Sequence, residues 1–438
     1  MPDKDISTAP TASAGDESAV ANRATMNGMS PSGGGSAIEP RGTVPMSALA
    51  APGGKHARFM PPDFSISMRS GYGTVHPDPG HPDPGHPNQE GRQRRQPMRG
   101  FEDTYADIVD YILRDTSRIW DDQDVGYIYD TYAPGCRVYD DNGMKYGVER
   151  VVFETMQAIN TFPDTRHYAD DVIWAGDEDQ GFATSHRAVN VGHHTGPWRW
   201  GPPTGKKINL WVIANCVTRD NAIFEEWVLY NAGARLSQLG IDLVQAARTL
   251  GNEKPAVPLT EHQATEVERI IAGHVPSPYP QNERTGAGIS SNGFDVDYEV
   301  RALFHNVYNR KNLAAIDKAY AQNVRWNAAT NRSGYGRGEV KGMARMLMST
   351  FPDLGLQVDE VYWMGNDADG YSVSVRWSAS GTHRGYGLYG RPTGRRVFLW
   401  GLNQLYFQGG KIVEDWLLFN ETDVMSQILR DEATDLLG

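Results

Sequence analysis

The chain is poor in cysteine: 438 residues hold two, Cys136 and Cys216. A secreted scaffold stapled by disulfides needs more, at patterned spacing, so a reducing compartment is expected. Long hydrophobic runs are missing too. No stretch of eighteen apolar residues occurs, which excludes an expected membrane-spanning helix. Positive charge is in deficit, with 42 Lys and Arg against 54 Asp and Glu and a net charge of −12. Nucleic acids and anionic membranes both demand a concentrated basic footprint, so neither is expected as a partner. The first residues lack the apolar core of a signal peptide, and a cytoplasmic location is expected. His167, His186, His193 and His194 lack the spacing of a known metal site, and no metal is expected.

Residues 1–100 are dominated by Gly, Pro, Ser, Ala and Thr. The unit His-Pro-Asp-Pro-Gly at 76–80 repeats at 81–85, and His86-Pro87 begins a third copy. Such a segment buries too little apolar surface to offset its chain entropy, and it reads as a disordered tail. Arg92, Arg94, Arg95 and Arg99 read as its solvated basic flank.

The pattern changes at Phe101. Tyr105, Ile108, Val109, Ile112 and Ile119 recur at helical spacing. A second helical stretch is read at about 124–133 and a third at about 148–160. Phe162-Pro163-Asp164 stops the third, because proline cannot continue a helix. Four strands follow, near 168–175, 181–192, 206–218 and 222–231, rich in Val, Ile, Trp and Phe. Asp220-Asn221 marks a hairpin turn between the last two. A final helix is read at about 233–250.

The chain repeats itself. Phe162-Pro163-Asp164 recurs as Phe351-Pro352-Asp353, an offset of 189 (351 − 162). At that offset Trp174 becomes Trp363, His194 becomes His383, and Pro203-Thr204-Gly205 becomes Pro392-Thr393-Gly394. Trp211 becomes Trp400, Glu225 becomes Glu414, Trp227 becomes Trp416, and Asn231 becomes Asn420. Register without a gap over about seventy residues, with this many Trp, Pro and Gly matches, is duplication. The expected organisation is a tail at 1–100, one domain at 101–250, a linker at 251–290 and a second domain at 291–438. Within the linker, 260–272 is read as one helix and 276–288 as Pro/Gly-rich.

The order of helices, sheet and C-terminal helix resembles the nuclear transport factor 2-like superfamily. Within it, the chain resembles the SnoaL-like polyketide cyclase group over about 290 residues. The residues carrying the likeness are Gly192-His193-His194-Thr195-Gly196, Gly201-Pro202-Pro203-Thr204-Gly205 and Ile223-Phe224-Glu225-Glu226-Trp227. Their counterparts are Gly381-Thr382-His383-Arg384-Gly385, Gly390-Arg391-Pro392-Thr393-Gly394 and Ile412-Val413-Glu414-Asp415-Trp416. The resemblance implies an α+β fold: two tandem cone-shaped domains, each with N-terminal helices packed on a curved antiparallel sheet of about four strands. It also implies sheet-to-sheet packing of the two domains, with Trp211 and Trp400 suited to that contact, and leaves room for further homo-oligomerisation.

A cone of this type works without metal or cofactor. Its apolar cavity moves the pKa of a carboxylate or histidine toward neutrality, and that group takes a proton next to a carbonyl. The resemblance makes His194 and His383 candidates, as the histidine of the family's His-x-Gly strand. It makes the acidic pairs Glu225-Glu226 and Glu414-Asp415 candidates, because the family's acid lies on the last strand. Adjacent strand residues point to opposite faces, so one acid of each pair can be inside. Asn403 stands where the cyclases place a pocket histidine, and Ala214 is its partner in the first copy. Trp326, Asn327, Tyr335 and Arg337, with Arg332, fall in the segment that forms the mouth of the cone and are the candidate substrate-binding residues. The expected function is a cofactor-independent lyase or isomerase acting on a small, mostly apolar, aromatic or carbonyl-bearing compound. His383, Asp415 or Glu414, and Asn403 rank first, and His194 with Glu225 or Glu226 second. The rival is a non-catalytic small-molecule binding or scaffold protein. An ionisable side chain pointing into a cavity discriminates the two.

Overall fold

The computed structural model describes residues 65–70, 95–253 and 293–431. The linker read at 251–290 lies outside these residues apart from 251–253, and so does the helix read at 260–272. Most of the tail read at 1–100 also lies outside. In chain order the first half holds α1 (Ile108–Thr116), α2 (Ile128–Thr131), β1 (Tyr132–Asp140), β2 (Gly143–Tyr146), α3 (Val148–Thr161), β3 (Arg166–Asp177), β4 (Gly181–His193), β5 (Lys207–Arg219), β6 (Ala222–Leu229), α4 (Ala232–Leu239) and α5 (Leu243–Asn252). The second half holds α6 (Val296–Phe304), α7 (Ala314–Ala319), β7 (Tyr320–Ala328), β8 (Arg332–Tyr335), α8 (Arg337–Thr350), β9 (Gly355–Asn366), β10 (Gly370–Thr382), β11 (Arg396–Gln408), β12 (Lys411–Phe419) and α9 (Glu421–Leu429).

Matching local signals start and stop the matching elements. Asp107 caps α1 by accepting from Asp110 N, and Asp295 caps α6 by accepting from Tyr298 N. Gly147 and Gly336, at φ of 88° and 91°, turn the chain into α3 and α8. Asp220 and Asn221 both take positive φ, as a two-residue hairpin of the favoured twist requires. The single helix read at 233–250 is two. Gly240 adopts the left-handed conformation after α4, and Asp242 then caps α5 through Gln245 N.

Each sheet has six strands, not four: β2-β1-β6-β5-β4-β3 and, identically, β8-β7-β12-β11-β10-β9. The added strands are β1–β2 and β7–β8. β1 runs parallel to β6, and β7 parallel to β12, within otherwise antiparallel sheets. β1 escapes a sequence reading because Pro134-Gly135 interrupts it. Those two residues fall where its register on β6 shifts, between Tyr132 and Arg137.

One face of each sheet meets the helices of its own domain, and the other face meets the second sheet. Trp211 packs edge-on to Trp416 at 5.2 Å, and Trp400 packs edge-on to Trp227 at 5.1 Å. Arg187 lies 4.2 Å over Trp416 and Arg376 lies 4.1 Å over Trp227. Asn215 Nδ2 donates to Ser374 Oγ (3.1 Å), and Gln404 Nε2 donates to Ser185 Oγ (2.9 Å). These contacts exchange partners between copies, as around a twofold axis. α5 and α9 cross where a side chain at Gly251 would strike the Ser426 carbonyl oxygen.

Short pieces of the segment read as a tail are packed. Ile66 and Met98 are buried, and the Ile66 carbonyl accepts from Trp174 Nε1 at 2.8 Å. Arg69 donates to Asp171 (2.9 Å) in the first half and to Glu414 (3.1 Å) in the second. No helix among the described residues is long and apolar enough to cross a membrane.

Candidate active site

The strand period decides which acids face inward. Along β6, Glu225 and Trp227 point to the second sheet. Glu225 accepts from Trp227 Nε1 (2.9 Å) and pairs with Arg137 (2.7 Å). Glu226 therefore points to the helix side, beneath α3. In β12 the same alternation sends Glu414 outward, to Arg69 (3.1 Å) and Arg325 (2.7 Å). Burial raises the Glu414 pKa, but the two arginines outweigh it and the net shift is downward. Asp415 points inward.

A tyrosine holds each inward acid. Tyr132, at the start of β1, donates to Glu226 Oε2 at 3.0 Å. Tyr320, at the start of β7, donates to Asp415 Oδ2 at 2.9 Å. Burial pushes both phenols well above their usual pKa, so both keep their protons. Sequence reading missed this pair. Tyr132 was assigned to a helix, and Tyr320 follows it by 188 residues (320 − 132), one short of the offset that aligns the other matches.

The surroundings differ. In the first domain Glu226 lines a cavity of about 630 Å³ with Tyr132, Val138, Lys145, Glu154 and Arg235 on its walls. Desolvation pushes the Glu226 pKa up to about 7, against the pull of the Tyr132 hydrogen bond and the Lys145 charge. Lys145 bridges Asp140 (2.6 Å) and also pairs with Glu154. In the second domain the space around Asp415 is about 20 Å³, room for about one water molecule. Trp326 faces Asp415 across β7–β12, where Val138 faces Glu226. Met343 stands in place of Glu154. Asn403 stands in place of Ala214 and donates to Asp415 Oδ1 at 2.7 Å, while accepting from Trp377 Nε1 at 2.9 Å. Desolvation raises the Asp415 pKa to about 6, less than it would without the Asn403 and Tyr320 bonds.

The other sequence candidates lie elsewhere. His194 and His383 are buried at strand ends and line neither cavity. Thr204 N–H donates to His194 Nδ1 (3.3 Å), and His383 Nδ1 lies 3.2 Å from Thr393 Oγ1. Each ring packs near the phenylalanine of its Phe-Pro-Asp corner, Phe162 or Phe351. Burial lowers the pKa of both. They fix the turn that follows the strand. Of the residues read as the mouth, Trp326 is a wall of the closed space. Tyr335 is 78% exposed, and Arg337 Nε donates to the Tyr320 carbonyl (2.9 Å). Asn327 sits beside Trp326 on β7 and so points to the opposite face. Arg332 pairs with Glu421. The four histidines do not converge: His193 pairs with Asp164 (2.6 Å), and His167 contacts Asp121 (3.3 Å). Among the described residues, no group of three or more His, Cys, Asp or Glu is arranged to hold a metal ion.

Comparison with known proteins adds a family. The model of SnoaL-like polyketide cyclases matches residues 111–239 and again 298–428. Among solved structures, a candidate SnoaL-like polyketide cyclase from Jannaschia sp. CCS1 is 17% identical and covers 30% of this chain and 92% of its own, with a TM-score of 0.27. IdmH from Streptomyces antibioticus, described as a candidate polyketide cyclase, is 23% identical over 30% of this chain and 98% of its own, with a TM-score of 0.26. AclR from Streptomyces galilaeus, described as a candidate hydroxylase, is 26% identical over 30% and 84%, with a TM-score of 0.26. No curated protein matches the chain by sequence.

Proposed function

The chain belongs to the SnoaL-like polyketide cyclase family, and from that premise we propose that it is a cofactor-independent acid/base enzyme, a lyase or isomerase, working in the cavity of the first domain. The observation that carries this reading is Glu226: a buried carboxyl on the wall of a cavity of about 630 Å³, with its pKa pushed up to about 7. A group titrating there exchanges protons in both directions near neutral pH. Tyr132 keeps the carboxyl in one place. Lys145 lines the same cavity, and its charge favours the ionised form of Glu226. Proton removal next to a carbonyl is the step shared by aldol and retro-aldol reactions, dehydration and double-bond shift. The substrate class is a small, mostly apolar carbonyl compound.

This reading ranks the candidates differently from the sequence, which put the second copy first. Asp415 has the same tyrosine but no room beside it for a substrate. The second domain is then a partner that supports the first. Against a non-catalytic binding protein stands the combination at Glu226 of a raised carboxyl with open cavity beside it, which Asp415 lacks.

The test is hydrogen exchange in deuterated buffer, followed by NMR, on aryl methyl ketones, 1,3-diketones and β-hydroxy ketones. Protein-dependent loss of the proton next to the carbonyl is expected for at least one class. Glu226→Gln should slow it by roughly 100- to 10,000-fold, and Asp415→Asn by less than about twofold. No protein-dependent exchange across the set, or exchange indifferent to Glu226→Gln, refutes the reading.

A further inference from the structure

The same cavity carries a second, unassigned feature at the start of α4. Arg235 lines its wall, and its guanidinium lies 5.9 Å from the Phe162 ring centre and 5.5 Å from that of Tyr230. Its Nε has no hydrogen-bond partner, and no ion pair to it occurs among the described residues. Burial lowers its pKa, against the opposing pull of Asp141 and Tyr230. The side chain is part-buried and faces the cavity, so a guanidinium with its Nε unpartnered is placed to take an anionic group there.

The other cations of the cavity are matched. Lys145 and Arg150 are balanced by Asp140 and Glu154, and Arg199 by Glu253. The acid nearest in influence to Arg235 is Asp141. Its Oδ2 accepts from Tyr230 N (2.8 Å), its Oδ1 has no partner, and burial pushes its pKa up to about 7. No hydrogen bond or ion pair joins Asp141 to Arg235 among the described residues, and the Asp141 carboxyl is held by Tyr230 N instead. The duplicate of Arg235 in the second domain is Val424, a fully buried core residue that does not line the small space around Asp415. The arginine goes with the open space.

Resting on the reading of the cavity as a carbonyl site, we propose that Arg235 is a carboxylate-binding residue, and that the substrate is an apolar, aromatic carbonyl compound bearing a carboxylate. Guanidinium and carboxylate match as a planar, two-bond pair. The aromatic walls supplied by Phe162, Trp198 and Tyr230 fit a ring between the carboxylate and the reacting carbonyl. The carboxylate docks on Arg235 and leaves the carbonyl end to Glu226.

The probes are 4-acetylbenzoate and its methyl ester, which differ only in the charge at one end. Binding to the full chain is read by quenching of tryptophan fluorescence and by calorimetry at pH 7.5. Wild type should bind the carboxylate at least tenfold more tightly than the ester. Glu226→Gln should keep that preference, which separates this proposal from the catalytic one. Arg235→Gln should lose the preference, and Arg235→Lys should retain part of it. Equal binding of the two probes by wild type overturns the proposal, as does absence of binding at millimolar probe. A preference that persists in folded Arg235→Gln overturns it too. Should Arg235→Gln not fold, the wild-type ratio and the Arg235→Lys ratio still decide.

Discussion

The two domains hold the same carboxyl–tyrosine pair at the same place in the same sheet, and they differ in what surrounds it. Around Glu226 stand Val138 and Glu154, with an open cavity beyond, and Ala214 holds the position that Asn403 holds in the second copy. Around Asp415 stand Trp326, Asn403 and Met343, with almost no space left. Three exchanges of side-chain volume separate a site that admits a molecule from a plug of core. The lesson is that a kept acid is not a kept site: Asp415 is bonded on both oxygens by Asn403 and Tyr320, as a structural carboxyl is, whereas Glu226 has one such bond and a free side facing the cavity.

Exchanging the walls should break the comparison most severely. Val138→Trp would place the second domain's plug in the first. Protein-dependent proton exchange should fall at least 100-fold while circular dichroism stays native; undiminished exchange would show that the cavity is not where substrate sits. The mirror change, Trp326→Val, opens the second domain without giving it an acid free to react. It should cost about 3 kcal/mol in urea unfolding and yield no new exchange activity.

Titration offers the next contrast. The Glu226 pKa is raised from 4.5 to about 7 in the folded protein. The folded state then binds that proton more tightly than the unfolded state. Its contribution is full below about pH 4.5 and is lost as pH climbs through 7, by on the order of 3 kcal/mol. Asp415, raised from 3.8 to about 6, acts in a window about one unit lower. Urea melts across pH 4 to 8 should therefore flatten between 4.5 and 7 in Glu226→Gln, and between 4 and 6 in Asp415→Asn. Identical slopes in wild type and both variants would contradict the two burial environments.

The smallest effect sharpens the comparison. Ala214→Asn supplies to Glu226 the donor that Asn403 supplies to Asp415. A second hydrogen bond favours the ionised form, so the midpoint of the exchange rate against pH should move down by about one unit. An unmoved midpoint would mean that the extra donor cannot reach the acid.

Much of this architecture was legible beforehand. The Phe-Pro-Asp corners, the Trp211 and Trp400 alternation and the 189-residue offset are local or periodic signals, and each survives in the fold. The alternation rule left one acid of each pair inside, and the partners of Glu225 and Glu414 decided which. β1 and β7 were not legible. They are held by parallel pairing to β6 and β12, distant in sequence, and Pro134-Gly135 disguises β1 as a turn. The placement of the histidines was not legible either: His194 and His383 contact Thr204 and Thr393, ten residues on, and line neither cavity.

By itself the sequence determined the duplication, the element order and the chemical types available on each strand. Those follow from periodicity, turn residues and composition, which act over a few neighbouring positions. Tertiary structure alone decided that the first domain is open and the second closed. That outcome depends on volumes contributed by side chains from β1, α3, β5 and β6, or from β7, α8, β11 and β12, far apart in the chain and adjacent only when folded. It also decided the upward pKa shift of Glu226, because that shift comes from burial of the carboxyl away from water.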